Sequence, residues 1–171
     1  LNISPFTFNS NTYSCKEAAF NADGTELYFS SDMPGGSGGF DIWKCQWNNG
    51  KWSKPENLGK LLNSPVNESS PFITQENKHP VLFYASDRDG GFGGFDIYRS
   101  TFNSAAWQGI ELQPAPINSV ANENSYIYDP ETRAGYVSSD RQGNTDIYRI
   151  RPLDLKLILS VRDSASKEVL E

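Results

Sequence analysis

Gly38-Gly39-Phe40-Asp41-Ile42-Trp43 returns as Gly93-Gly94-Phe95-Asp96-Ile97-Tyr98, and a shortened form returns as Asn144-Thr145-Asp146-Ile147-Tyr148. Working outward, Ser31-Asp32 recurs as Ser86-Asp87 and Ser139-Asp140, 55 and then 53 residues further on. Asn63-Ser64-Pro65-Val66-Asn67-Glu68 returns as Asn118-Ser119-Val120-Ala121-Asn122-Glu123, and Trp52 returns as Trp107, each 55 residues on. Several landmarks in one register define a structural repeat, and a period of this length belongs to arrays of small β-units.

Each unit reads as a run of short strands. In the first, Ala18-Ala19-Phe20 leads into Asp23-Gly24, a hairpin turn, and Glu26 to Ser31 follows with Leu27, Tyr28 and Phe29 as its apolar run. After a glycine loop, Asp41 to Trp47 forms a third strand; Asn48-Asn49-Gly50 turns the chain, and Lys51-Trp52-Ser53 opens a weaker fourth toward Leu58. Four strands per repeat predict an all-β protein made of three four-stranded antiparallel β-propeller blades, at about 15–68, 69–123 and 124–150. Pro80 has no N–H to give a ladder, so His79-Pro80 is expected in a lengthened hairpin loop before Val81. Residues 1–14 read as the end of a preceding blade, because Phe8-Asn9-Ser10 resembles Leu62-Asn63-Ser64. In 153–171, Leu155, Leu157, Leu159 and Val161 alternate as a strand that closes the third blade or starts another domain. Three blades do not close a ring, so missing blades upstream or a second copy are expected, and a start at Leu1 points to a piece of something larger.

Composition narrows the function. With 10 Phe, 8 Tyr and 4 Trp in 171 residues the chain is no disordered polymer, and its Gly, Ser and Asn richness argues against a helical bundle. A net charge of −6 lacks the basic footprint of nucleic-acid binding. No apolar run reaches the ~20 residues of a membrane-spanning helix. Cys15 and Cys45 are too few for a disulfide scaffold and, with His79 the only histidine, fit no zinc motif; two partly buried thiols or one disulfide remain open.

The loop from Asp32 to Asp41 invites three chemical readings. A phosphate cradle fails, because no helix follows the glycines and the P-loop pattern is absent. Calcium takes about six to eight oxygens, and the alternating Asp/Asn series of a calcium loop is missing, so no cofactor is expected. A structural reading fits better: Asp32, Asp41, Asp87, Asp96, Asp140 and Asp146 repeat because each accepts backbone N–H groups across a loop whose glycines supply positive φ. Catalytic groups are built once rather than in every repeat. Glu17 and Glu131 are unrepeated carboxylates expected at the surface, and His79 beside proline completes no triad, so no catalytic residue is assigned. Phe29, Ile42, Tyr84, Ile97, Val137 and Ile147 are expected to pack blade against blade, with Trp43 and Tyr98 beside them. Trp47, Phe92 and Phe102 lack such a place, and Phe92 on a loop tip could meet another protein. Propeller topology sets the glycine loops beside the inter-blade connections. Met33, Gly36, Asn67, Glu68, Asp89, Phe92, Asn122 and Glu123 thus form one candidate interaction face, acidic enough to favour basic or neutral partners.

The run from Ala22 to Asp32, with Gly39-Phe40-Asp41-Ile42-Trp43, resembles the WD-repeat-like propeller repeats of the TolB type. With Trp52-Ser53-Lys54-Pro55-Glu56-Asn57-Leu58-Gly59 and Asn63-Ser64, it is similar to the propeller segments of OmpA-family outer-membrane-associated proteins of the Bacteroidota, PorE-like components of type IX secretion among them. The resemblance covers roughly residues 15–150. It implies a non-catalytic scaffold in the periplasm, associated with the outer membrane through neighbouring domains and other cell-envelope proteins. Residues 157–170 are similar to the start of a carboxypeptidase-regulatory-like β-sandwich. The peptidoglycan-binding OmpA-like domain has no counterpart here. A ligand-binding or glycan-processing propeller is the alternative.

Overall fold

The computed structural model describes residues 1–152. They form twelve strands and no helix, arranged as three antiparallel sheets. The first holds β1 (Cys15–Phe20), β2 (Glu26–Ser31), β3 (Asp41–Asn48), β4 (Lys51–Trp52) and β5 (Glu56–Asn57). The second runs in order β6 (Glu68–Glu76), β7 (His79–Ser86), β8 (Asp96–Asn103) and β9 (Ala106–Leu112). The third comprises β10 (Glu123–Asp129), β11 (Ala134–Ser139) and β12 (Asp146–Ile150).

The sheets pack face to face in chain order, which explains why their central strands are apolar on both sides. In β7, Leu82 and Tyr84 face the first sheet, joining Tyr28, Ile42, Leu62, Ile73, Tyr98 and Trp107. Its alternate residues Val81, Phe83 and Ala85 face the third sheet, meeting Ile97, Tyr126 and Val137. The opposite face of the first sheet carries Leu27, Phe29, Met33, Trp43 and Cys45, partly covered by Phe6, Phe8 and Tyr13. Strands buried on both faces lose polar alternation and read as continuous hydrophobic runs.

Local chemistry sets the details. Two-residue turns with both residues left-handed close three hairpins, at Asn49-Gly50, Asn77-Lys78 and Ser104-Ala105. In all three sheets the first strand slips register just after its start, between Lys16 and Ala19, Ser69 and Phe72, and Glu123 and Ser125. Glu17 and Ser70, the bulged residues of the first two, sit at φ 55° and 49°.

Several expectations need correction. Pro80 is not in a loop: it lies in β7 opposite Gln75, and the turn is the tight Asn77-Lys78 before it. Its missing N–H is tolerated because the ladder between β7 and β8 has already ended at Val81↔Thr101. The fourth strand of the first unit is two short pieces, β4 and β5, both on β3, with Pro55 interrupting between them. The third sheet has three strands among the described residues rather than four. The alternating segment in 153–171, offered as a closing strand or the start of a β-sandwich, lies outside the described residues. Ile147 is not packed between sheets; it is 75% exposed, because no described sheet follows the third.

Candidate functional site

The repeated polar residues converge where each glycine loop meets the connection to the next sheet. Val66 accepts a hydrogen bond from the Gly39 N–H, and Phe40 accepts one from Glu68 N–H, laying the connection along the loop. Asn67 then joins three segments. Its amide oxygen accepts the Phe40 N–H at 3.1 Å, while its own N–H and Nδ2 donate to the two carboxylate oxygens of Asp87, both at 2.8 Å. Asn122 repeats the arrangement with Phe95 and Asp140, at 3.0, 2.7 and 2.8 Å. Those donors hold the Asp140 carboxyl below the usual carboxylate range, the Asn122 N–H foremost. Asp32, exposed, takes the Ser14 N–H at 2.6 Å.

Asp41 and Asp96 lie at the base of the loops and are fully buried. Asp41 Oδ2 accepts the Ser37 N–H and the Asn57 amide, and Asp96 Oδ2 accepts the N–H groups of Phe92 and Gly93. Oδ1 of each is buried without a hydrogen-bond partner among the described residues. Asp146 departs from them: on the shorter third loop it is exposed.

The glycines have a different role from the one expected. Within the first two glycine loops only Gly35 and Gly90 take positive φ, at 98° and 91°, as Gly143 does in the third at 99°. The others are small because something sits against them. A Cβ on Gly36 or Gly91 would strike the carboxylate of Asp41 or Asp96. On Gly38 or Gly93 it would strike the backbone of the connection, at Pro65 or Ala121, and on Gly39 or Gly94 the amide oxygen of Asn67 or Asn122. Gly93→Ala should therefore lower stability by about 1–3 kcal/mol, whereas Gly90→Ala meets no atom and suffers only its left-handed φ. Chemical denaturation of the two variants measures the difference.

Glu68 and Glu123, expected on the interaction face, are completely buried. Glu68 accepts from Ser64 N–H at 2.8 Å, Ser64 Oγ at 2.6 Å, Ser86 Oγ at 2.7 Å and Arg88 Nη2 at 3.0 Å. Glu123 accepts from Ser119 N–H, Ser119 Oγ, Ser139 Oγ and Arg141 Nη2 at 2.9, 2.7, 2.6 and 3.1 Å. Arg88 and Arg141 also donate to the carbonyls of Leu62 and Ile117, at 2.5 and 2.7 Å. The first unit solves the same problem without charge. Cys15 faces Ser31 where Glu68 faces Ser86, and Met33 follows Asp32 where Arg88 follows Asp87. There the Tyr13 hydroxyl donates to the matching carbonyl, Phe8 O, at 2.9 Å. Met33 is consequently buried too. Of the remaining expected face, Gly36, Asp89 and Phe92 are exposed and Asn67 and Asn122 half-buried.

Trp47 is 45% exposed, whereas Phe102 packs on Trp107 with ring centres 5.4 Å apart. Glu17 reaches across to the second sheet, accepting the Ser70 N–H at 2.8 Å, and Glu131 is exposed. Both cysteines are free thiols. Their strand positions, opposite Ser31 and Leu27 on the outer strands of a three-strand ribbon, put the Cα atoms roughly 15 Å apart, beyond disulfide reach. Burial, and secondarily Cys15, pushes the Cys45 thiol up to about 11. Alkylation of the folded chain near pH 8 should therefore modify Cys15 well before Cys45, as peptide mass spectrometry can follow.

Among the described residues no group of three or more His, Cys, Asp or Glu is placed to share a metal ion, and no helix is long and apolar enough to cross a membrane. No protein-family model and no curated protein matches the chain.

Proposed function

We propose that the three sheets are consecutive blades of a TolB-type β-propeller and that the chain is a non-catalytic scaffold. It binds other cell-envelope proteins in the periplasm and is associated with the outer membrane, in the manner of the type IX secretion components its repeats resemble. The observation that carries this reading is where the repeated carboxylates point. Glu68, Glu123, Asp41, Asp96, Asp87 and Asp140 each hold loop or connection groups of the chain itself. The repeated side chains therefore build a frame, and recognition falls to residues that differ between units. Phe92 is the clearest, standing where the first unit has Ser37 and 49% exposed beside Asp89. An exposed aromatic on a braced loop is the kind of residue that anchors an interface.

The immobilised chain, incubated with a detergent-solubilised envelope fraction, should retain a defined set of outer-membrane-associated proteins. Phe92→Ser, which installs the first unit's residue, should reduce retention at least fivefold. Retention of none, or the same set undiminished by the substitution, overturns the reading.

A further inference from the structure

The two ends of the stack are complementary to each other. Between the first and second sheets, Tyr28 and Ile42 enter a recess on the second sheet walled by Ile73, Leu82, Tyr84 and Trp107, with Phe102 packed behind. Tyr28 meets Trp107 edge to face, with ring centres 6.2 Å apart. By the repeat, the matching residues on the outer side of the first sheet are Phe20, Leu27, Phe29, Trp47 and Trp52, of which Leu27 and Phe29 are already buried beside Phe6 and Phe8. There they border a groove of about 850 Å3 whose other wall is the chain's own Ser4 to Phe6, with Phe6 packed on Phe29 at 5.4 Å between ring centres, and Trp52 packs against Trp47 and Phe20.

At the other end the inserting residues stand uncovered by the described residues. Tyr136 and Ile147 occupy the positions of Tyr28 and Ile42, and of Phe83 and Ile97 in the second unit. In those two units the pairs are 2% and 0% exposed; Tyr136 and Ile147 are 46% and 75% exposed, with Ile127 at 51% beside them. The chain thus presents at one end the residues that fill, twice within itself, the kind of groove found at its other end.

We propose that the outer face of the third sheet docks into the first-sheet groove of a second copy of this chain, Tyr136 against Trp52 as Tyr28 lies against Trp107. The contact continues the sheet-to-sheet interface already made twice within one chain. It is head-to-tail, and two such contacts close a dimer. The proposal stands apart from the envelope-scaffold reading, since self-association and capture of other proteins are measured separately.

Sedimentation equilibrium of the 171-residue chain should give twice the 19.1 kDa monomer mass at high protein concentration. Ile147→Asp alters an exposed side chain and should leave the circular dichroism spectrum unchanged. It sets a charge in the apolar contact and should weaken dimerisation at least tenfold. A benzophenone cross-linker placed at position 136 should couple to the peptide containing Trp47 and Trp52 of the other copy. A monomer throughout the micromolar range overturns the proposal, as do open-ended polymers, a dimer indifferent to Ile147→Asp, or cross-links to another surface.

Discussion

Arg88→Met should cost about 3–5 kcal/mol, because it strands Glu68 as a buried carboxylate without its cation. Glu68→Cys alone should also be costly, since Ser64, Ser86 and Arg88 lose the oxygen they share. The informative variant is the double change, which writes the first unit's Cys15 and Met33 into the second. Removing both charges together removes the desolvation cost along with the attraction. The double variant should therefore lose less than the sum of the singles, with a coupling of roughly 2 kcal/mol. It will not reach neutrality, because the Leu62 carbonyl loses the Arg88 donor and keeps only the long 3.5 Å bond from Tyr84, where Phe8 in the first unit has a 2.9 Å bond from Tyr13. Urea unfolding of the four proteins supplies the cycle. Additive losses would mean that the two residues act independently, contrary to the shared geometry.

The same substitution shows what could be read in the sequence and what could not. Strand positions and the three-unit division follow from the Ser-Asp and Gly-Gly-Phe-Asp-Ile landmarks, because turns and double-sided burial leave local signatures. The Glu68–Arg88 pair leaves none nearby, since its partners stand 20 residues apart, at the start of β6 and on the loop after β7. A comparison was still open: Ser86-Asp87-Arg88 and Ser139-Asp140-Arg141 keep a glutamate upstream, while Ser31-Asp32-Met33 has Cys15 in its place. Charge gained and lost together within one chain is the trace of a buried pair. Pro80 sits in a strand despite its missing N–H because the neighbouring ladder ends one residue away, which no local pattern around the proline shows. Positive φ holds for Gly35, Gly90 and Gly143, but the other loop glycines answer to close approach: contact with Pro65 and Ala121 depends on the connection's path, which composition does not encode.

Tyr84→Ala should be the most damaging change to the second sheet, lowering stability by about 3–5 kcal/mol. Tyr84 is fully buried, stacks on Tyr98 with ring centres 6.0 Å apart, and closes the interface with the first sheet. Arg88 lies 5.5 Å from its ring, so the loss would reach the Glu68 network as well. Tyr84→Phe separates packing from polarity. The hydroxyl donates only a long 3.5 Å bond to the Leu62 carbonyl, which Arg88 already serves, so that variant should cost no more than about 1 kcal/mol. Burial pushes the Tyr84 hydroxyl well above its usual pKa, so no ionised form complicates the comparison near neutral pH. The damage should also be directional. Tyr84 faces the first sheet, while Phe83 and Val81 face the third, so the second interface keeps its packing. In a stack stabilised by nearest-neighbour contacts, losing one interface loosens the unit beyond it before the rest. Hydrogen exchange in Tyr84→Ala should accelerate first across β1 to β3, with β10 and β11 protected until global unfolding. Uniform acceleration through all three sheets would instead make the array a single cooperative block.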